Sequence, residues 1–212
     1  MNIVIIGASG FIGSALRNEA LARGHKVTAL VGRPEKLEPQ ANLTALAADV
    51  MDVNGLTTQF KGTDAVISAF SGHAQADVLG YYLAGIGNVI TAAKEARVPR
   101  LLVVGGAGSL EVAPGKLLID SPDFPAQYKA TAQGAQQALA LLRKETTLDW
   151  TMLSPSAVIA PGQRTGVFRS GLDQLLTRDD GSSQISVEDY AVAMIDELEK
   201  PAHSRRRFTV GY

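Results

Sequence analysis

Hydrophobic positions in the 212-residue chain form short apolar runs that alternate with longer stretches of helical periodicity. The runs are four to six residues long, which is the usual length of a buried strand. Strands that alternate with helices in this way are typical of βαβ units, in which helices cover both faces of a parallel sheet. The pattern therefore predicts an α/β fold with a doubly wound parallel sheet.

The elements can be placed along the chain from these runs and from the prolines and glycines between them. The predicted main strands are 2–6, 26–31, 43–47, 65–69, 101–104 and 150–153. The predicted helices are 11–23, 53–60, 77–97, 125–144 and 187–199. Short strands are expected near 166–169, 184–186 and 207–210, and an irregular stretch at 111–124. No linker or repeat divides the chain, so we expect a single domain over 1–212 with a small C-terminal elaboration on the substrate side.

The turn after the first strand carries glycines at positions 7, 10 and 13, just as the first helix begins. Gly7 allows a tight turn, Gly10 lets a pyrophosphate approach the main chain, and Gly13 lets the helix lie close to the sheet. The helix N-terminus adds free N–H groups for the anion. Strand, glycines and helix in this order predict a dinucleotide phosphate site. The residues predicted to form it are Gly7, Ser9, Gly10, Phe11, Ile12 and Gly13.

The end of the second strand bears on which dinucleotide binds. An NAD site usually carries an acidic residue there for the ribose hydroxyls. This chain has Arg33 instead, and a planar guanidinium suits a 2′-phosphate. We therefore expect NADP(H) to be preferred, while Glu35 close by leaves NAD(H) possible.

Ligands of such sheets bind at the carboxyl ends of the strands, near the point where the strand order reverses. The loops at these ends therefore give the remaining predicted cofactor contacts. These are Asp49 and Val50 along the adenine, Ala69, Phe70 and Ser71 beside the pyrophosphate and ribose, Gly105, Gly106 and Ala107 beside the nicotinamide, and Ser154, Pro155 and Ser156 at its carboxamide.

Three residues near the predicted nicotinamide are candidates for catalysis. Ser109 is the first hydroxyl after the glycine-rich turn and is placed to hydrogen-bond a substrate carbonyl or a flavin edge. Tyr128 is a candidate proton donor, and Lys129 a candidate partner of the nicotinamide ribose.

These motifs resemble the atypical short-chain dehydrogenase/reductases. More narrowly, they resemble the NAD(P)H-binding group named NADH-flavin reductases, which is similar to biliverdin reductase B and to NmrA-like proteins. The resemblance extends over nearly the whole chain, and the G-x-x-G-x-x-G spacing, one residue longer than G-x-G-x-x-G, is the form of that family. It implies a Rossmann-like fold, a bound nicotinamide dinucleotide and, in many members, hydride transfer.

One departure from the wider superfamily affects the expected reaction. The superfamily places a tyrosine and a lysine four residues apart, so that both lie on one helix face. Here Tyr128 and Lys129 are adjacent, about 100° apart on a helix, and position 132 is Ala132. We therefore expect an NAD(P)H-dependent reductase of a flavin or similar flat acceptor, such as a quinone or tetrapyrrole. The alternative is an NmrA-like protein that senses the dinucleotide without turnover.

Composition excludes several other classes. The chain has no cysteine, which removes disulfides, thiolate catalysis and zinc–thiolate sites. The three histidines lack metal-ligand spacing, so no metal is expected. The net charge of −1 gives no footprint for nucleic acid or an anionic membrane. We expect a cytoplasmic protein of open oligomeric state, with the basic run 205–207 as a solvated strand entrance.

Overall fold

The computed structural model describes residues 1–73 and 75–212. In this part of the chain the strands are β1 (Asn2–Ile6), β2 (Lys26–Val31), β3 (Leu43–Ala47), β4 (Ala65–Ser68), β5 (Leu101–Val104), β6 (Glu111–Ala113), β7 (Lys116–Leu117), β8 (Trp150–Ser154), β9 (Val158–Ala160), β10 (Arg169–Gly171), β11 (Gln184–Ser186) and β12 (Arg206–Gly211). The α-helices are α1 (Phe11–Ala22), α2 (Val53–Phe60), α3 (Val78–Glu95), α4 (Lys129–Lys144) and α5 (Val187–Glu199).

The main sheet confirms the predicted doubly wound topology. Its strand order is β10-β12-β8-β5-β4-β1-β2-β3, and the pairs are parallel except for β10 against β12. The chain proceeds from β1 through β2 to β3 on one side and from β4 to β5 on the other. The order therefore reverses between β1 and β4, which is where sheets of this kind bind ligands.

Two hydrophobic layers cover the sheet. One packs α1 and α5 against one face through residues such as Leu16 and Tyr190. The other packs α2, α3 and α4 against the opposite face through Phe60, Ile86 and Trp150. Strands covered on both faces carry continuous apolar rows, and β4 and β8 are buried at every residue. None of the helices in the described residues is long and apolar enough to cross a membrane.

Among the short elements, β11 has the predicted bounds and β12 extends the strand predicted at 207–210 by one residue at each end, whereas the others differ. The segment 111–124 contains the antiparallel pair β6 and β7, and β9, which the sequence did not predict, pairs in parallel with β11. The strand expected near 166–169 is β10, at Arg169–Gly171. Strands of two or three residues are too short to show a period of their own, and their pairing partners decide where they form.

The C-terminal elaboration is attached to α5 by one buried carboxylate. Asp189 accepts hydrogen bonds from the Thr165 and Gly166 N–H groups, both at 2.8 Å, and from the Tyr212 hydroxyl at 2.8 Å. Burial alone raises the pKa of Asp189, but these hydrogen bonds and one from the Thr165 hydroxyl outweigh it and lower the pKa. The loop before β10 is thereby fixed to the helix beneath it.

A cluster of ion pairs lies at the other end of the sheet, near the amino-terminal ends of the strands. Glu197 of α5 accepts from Arg100 at 2.9 Å and from His203 Nδ1 at 2.8 Å. Arg100 also contacts Asp149 at 2.8 Å, just before β8. Because this edge lies away from the carboxyl ends of the strands, we assign the cluster to the stability of the fold.

Candidate functional site

Two of the three turn glycines are required by the packing of the chain itself. Gly7 has φ +73°, its N–H donates to the Leu30 carbonyl at 2.9 Å, and a Cβ there would lie 2.7 Å from the Ala69 carbonyl oxygen. A Cβ on Gly13 would lie 2.0 Å from the Gly7 carbonyl oxygen. Gly10 differs, since its backbone is extended and its Cβ would meet only the Gly7 oxygen, at 3.3 Å.

The first turn of α1 has amides available for an anion. Gly10 is its N-cap and supplies no side chain, whereas Asp52, Asp77 and Ser186 cap α2, α3 and α5. The first amide of this helix to bond a helical carbonyl is that of Ser14, to Gly10 at 2.8 Å. Unfilled amides at a helix N-terminus attract phosphate. The turn, with no side chain at Gly10 and these amides around it, fits a dinucleotide pyrophosphate. Ser9 and Phe11 are exposed beside it, and Ile12 is partly buried.

The predicted adenine end lies at the ends of β2 and β3. Arg33 is exposed, and its guanidinium makes no hydrogen bond or ion pair with any described residue, while its carbonyl accepts from the Lys36 N–H at 3.2 Å. Asp49 is exposed as well, and its Oδ1 accepts from the Met51 N–H at 2.9 Å, within its own loop. Val50 packs in the core, so only its main chain is left to face a ligand, and its carbonyl already accepts from Asn88 at 3.0 Å.

The loop after β4 touches the glycine turn directly. The Ala69 N–H donates to the Ile6 carbonyl at 3.0 Å. The Phe70 ring stacks on Tyr82, with centroids 5.7 Å apart and planes inclined by 14°. Phe70 thus packs against α3, and Ser71 is the exposed side chain of this segment.

The predicted nicotinamide end is a turn packed tightly beneath α4. The Gly105 N–H donates to the Leu153 carbonyl at 2.8 Å, which joins the ends of β5 and β8. A Cβ on Gly105 would lie 2.8 Å from Met152, and one on Gly106 would lie 3.0 Å from Ala135. Small residues are therefore needed here for packing as well as for access to the main chain, and Ala107 begins the short 3-10 turn that follows.

The Leu153 carbonyl also accepts a hydrogen bond from a tyrosine on the other face of the sheet, which the sequence did not single out. Tyr190 is fully buried, and its hydroxyl donates to the Leu153 carbonyl at 2.6 Å. Burial raises the pKa of Tyr190 well above its usual value, and it raises that of Tyr82 to about 12. Both hydroxyls are therefore neutral at physiological pH.

Three serines at this end of the sheet are buried, and one arginine holds two of them. Ser109 is 8% exposed, and its Oγ accepts from Arg207 Nη1 at 3.2 Å. Ser154 is fully buried and accepts from the same nitrogen at 3.4 Å, while Ser156 donates to the Val210 carbonyl at 2.9 Å. Pro155 between them is buried. The prediction of a solvated basic run was wrong for Arg207, which is only 5% exposed.

Tyr128 and Lys129 do not form the tyrosine–lysine pair of the wider superfamily. Both are exposed, and Tyr128 ends a 3-10 turn as the N-cap of α4. Ala132, at the superfamily's lysine position, is buried against Gly108, whose Cβ would lie 2.7 Å from that of Ala132. The tyrosine–lysine pair is therefore absent, and a buried alanine stands at its lysine position.

One further polar contact spans this region. Nδ1 of His73, in the loop after β4, lies 3.4 Å from the Thr131 hydroxyl in the first turn of α4. Within residues 1–73 and 75–212 no group of three histidine or carboxylate side chains is arranged to hold a metal.

Comparison with known proteins agrees with this geometry. The sequence model of the NAD(P)H-binding family matches residues 7–201, which include the glycine turn and every other predicted cofactor contact. The uncharacterized protein YwnB of Bacillus subtilis is 42% identical, over 99% of this chain and 98% of its own length.

Two solved structures are similar over the full chain. A “putative epimerase” from Bacteroides thetaiotaomicron is 46% identical with a TM-score of 0.93, and the match covers 100% of this chain and 96% of that one. A “putative NADH-flavin reductase” from Streptococcus pneumoniae is 35% identical with a TM-score of 0.87, covering 100% and 99%. The chain therefore belongs to the NAD(P)H-binding family of atypical short-chain dehydrogenase/reductases.

Proposed function

We propose that this protein is an NADPH-dependent reductase that transfers hydride to a flavin or to another flat acceptor, such as a quinone or tetrapyrrole. The observation that carries the proposal is the glycine turn at the start of α1, together with a buried alanine, Ala132, where the superfamily has its lysine. A similar structure that bears the name of an NADH-flavin reductase supports the same reaction class.

Each predicted contact has a role in this proposal. The amides around Gly10 bind the pyrophosphate, and Arg33 binds the 2′-phosphate. The main chain at Asp49 and Val50 borders the adenine, and the loop from Ala69 to Ser71 borders the ribose. The turn 105–107 and the main chain of 154–156 form the floor of the nicotinamide end.

Reduction of a flat ring demands less of the protein than oxidation of an alcohol. NADPH held by these residues would supply a hydride, which carries both electrons, and the acceptor would take one proton from a hydroxyl or from water. The chain then needs to hold the two rings together, and positioning supplies most of the rate. Ser109 is the proposed hydrogen-bond partner of the acceptor. Tyr128 is the proposed proton donor, and Lys129 the ribose contact.

The reaction can be tested by following NADPH oxidation with FMN, riboflavin and quinones as acceptors. We expect turnover with at least one of them, and a lower kcat in the Ser109→Ala variant. Micromolar NADPH binding without turnover of any acceptor would overturn the reductase and favour an NmrA-like sensor.

The choice of dinucleotide can be tested at Arg33. Because a charge-assisted bond to the 2′-phosphate contributes about 1.5–3 kcal/mol, Arg33→Gln should weaken NADPH binding by about tenfold or more and leave NADH binding unchanged. Lys36→Gln, an exposed cation at the end of the same turn, is the matched control. Dissociation constants from NAD(P)H fluorescence give the comparison, and an equal loss for both dinucleotides would remove Arg33 from this role.

A further inference from the structure

Arg207 is a buried cation on β12 that connects three separate parts of the chain. Its Nη1 donates to Ser109 Oγ at 3.2 Å and to Ser154 Oγ at 3.4 Å, and its Nη2 donates to the Ser109 carbonyl at 3.4 Å. Its Nε donates to Asp173 Oδ1 at 2.9 Å, in the segment after β10. A charge is rarely buried without such partners, so these contacts fix the guanidinium in one place.

The ion pair is held from outside as well. Asp173 Oδ1 also contacts Arg143 Nη2 of α4 at 3.2 Å, and the Asp173 carbonyl accepts from the Glu111 N–H at 2.8 Å. Burial lowers the pKa of Arg207 and the Asp173 carboxylate opposes that change. The side chain therefore has little freedom to turn away from the two serines.

The hydrogen-bond roles of the serines follow from this arrangement. A guanidinium only donates, so both hydroxyl oxygens must accept from Arg207, and their own hydrogens point away from the cation. Within residues 1–73 and 75–212, neither hydroxyl donates to any acceptor. Ser154 is fully enclosed, whereas the residue Ser109 keeps 8% of its surface exposed, so Ser109 is the better placed of the two to meet a ligand.

We propose that Arg207 is a positioning residue that makes the Ser109 hydroxyl a hydrogen-bond donor to the acceptor. The acceptors this favours carry a carbonyl oxygen or an imine-type ring nitrogen at or beside the atom that takes the hydride. The inference rests on the proposed reductase function.

The reaction balances with this role. The hydride brings two electrons to the acceptor ring, so negative charge develops on the adjacent oxygen or nitrogen. A donor already aimed at that atom stabilises this charge without reorganising. The proton that completes the reduced acceptor comes from Tyr128, which water then reprotonates, and the serine keeps its own proton at the end of the cycle.

A double-mutant cycle between the two side chains separates this role from a purely structural one. Ser109→Ala and Arg207→Lys should each lower kcat about tenfold, the effect of losing one oriented hydrogen bond, with little change in the acceptor KM. If Arg207 acts through Ser109, then Arg207→Lys costs nothing further in the Ser109→Ala background. Arg97→Lys, at an exposed arginine beyond α3, is the matched control and should leave kcat unchanged.

The variants also need readouts that do not depend on turnover. We expect NADPH dissociation constants from fluorescence, and urea unfolding midpoints, to show that every variant is folded and binds the cofactor. If Arg207→Lys does not fold, Asp173→Asn replaces it, because that half-buried side chain holds the guanidinium without contacting the serines.

The outcomes distinguish the two proposals. If the losses are additive, Arg207→Lys lowers kcat by the same factor with and without Ser109→Ala. This result, with turnover by the wild type, would overturn the role of Arg207 and leave the reductase standing. Absence of turnover in the wild type would overturn the reductase itself, and the inference with it.

Discussion

The glycines of the turn differ in how much room the surrounding main chain leaves for a side chain. At Gly13 a side chain collides with the chain's own main chain, 2.0 Å from the Gly7 carbonyl oxygen, whereas at Gly10 the nearest atom is 3.3 Å away. Gly13 therefore serves the close contact between helix and sheet, and Gly10 keeps the approach to the amides clear. We therefore propose that only the second is a requirement of the ligand.

Alanine substitutions should separate these two requirements. Gly13→Ala should lower the free energy of unfolding by about 2–3 kcal/mol, because the turn and α1 must move apart. Gly10→Ala should leave stability close to that of the wild type but weaken NADPH binding by about tenfold, which is about 1.4 kcal/mol. Urea unfolding and NADPH fluorescence measure the two quantities. Loss of stability at Gly10 with unchanged affinity would contradict the assignment.

The sequence was sufficient to predict the glycines but not Arg207. The glycine motif is local, and its spacing after a strand carries the information. The partners of Arg207 lie far away in the chain, with Ser109 98 residues before it. Beside Arg205 and Arg206, a third arginine gives no local sign of being buried, and only the pairing of β12 with β8 places it under the serines.

At the scale of elements, α3 and α4 are joined where α4 ends. Glu145, the C-cap of α4, accepts from the Thr147 hydroxyl and the Thr147 N–H, both at 2.6 Å, and from Lys94 of α3 at 2.9 Å. The hydrogen bonds from Thr147 are the largest cause of a pKa lowered to about 2 for Glu145. This carboxylate favours the folded state only while it is ionised.

Acid should therefore weaken the joint between these helices. A carboxyl whose pKa is lower in the folded state contributes stability above its unfolded pKa, near 4.5, and this contribution is lost as the pH falls towards 2. Glu145→Gln should be less stable than the wild type at pH 7, and the difference should shrink over that range. Urea unfolding at pH 7, 4.5 and 2.5 tests this, and a difference independent of pH would show that ionisation of Glu145 is not involved.

Length decides which elements can be predicted from sequence. The bounds of α2, α5 and β1 to β3 agree with the predicted ones, because each is a continuous periodic or apolar run. The helix expected from 125 begins as α4 at Lys129, since Pro125 leads into a 3-10 turn first. β6, β7 and β9 exist because other segments pair with them, and a single sequence does not show that pairing.

Across the whole molecule, the reversal of strand order sets the glycine turn, the loop after β4 and the turn after β5 along one edge. A cofactor bound there contacts segments that are separated in the chain and binds only the folded state. NADPH at a hundred times its dissociation constant should therefore add about 2.7 kcal/mol to the free energy of unfolding. For a chain of this size we expect Tm to rise by about 5–11 °C.

A thermal melt with and without NADPH measures this effect. Gly10→Ala, melted at the same NADPH concentration, is the control, because its smaller affinity should reduce the shift without changing the melt of the free protein. An unchanged Tm at saturating NADPH would contradict binding at this edge.

The strand order also bears on how the site is assembled during synthesis. The pyrophosphate turn needs only β1, α1 and the neighbouring β2 and β4, all made before residue 70. The buried hydroxyls of Ser109 and Ser154 are held by Arg207, which the ribosome adds 98 residues after Ser109. Because synthesis runs from the N-terminal side, the segments of the glycine turn are made well before those that place the buried serines. We therefore expect the proposed hydride transfer to become available only once β12 has been inserted and Arg207 lies beside Ser109.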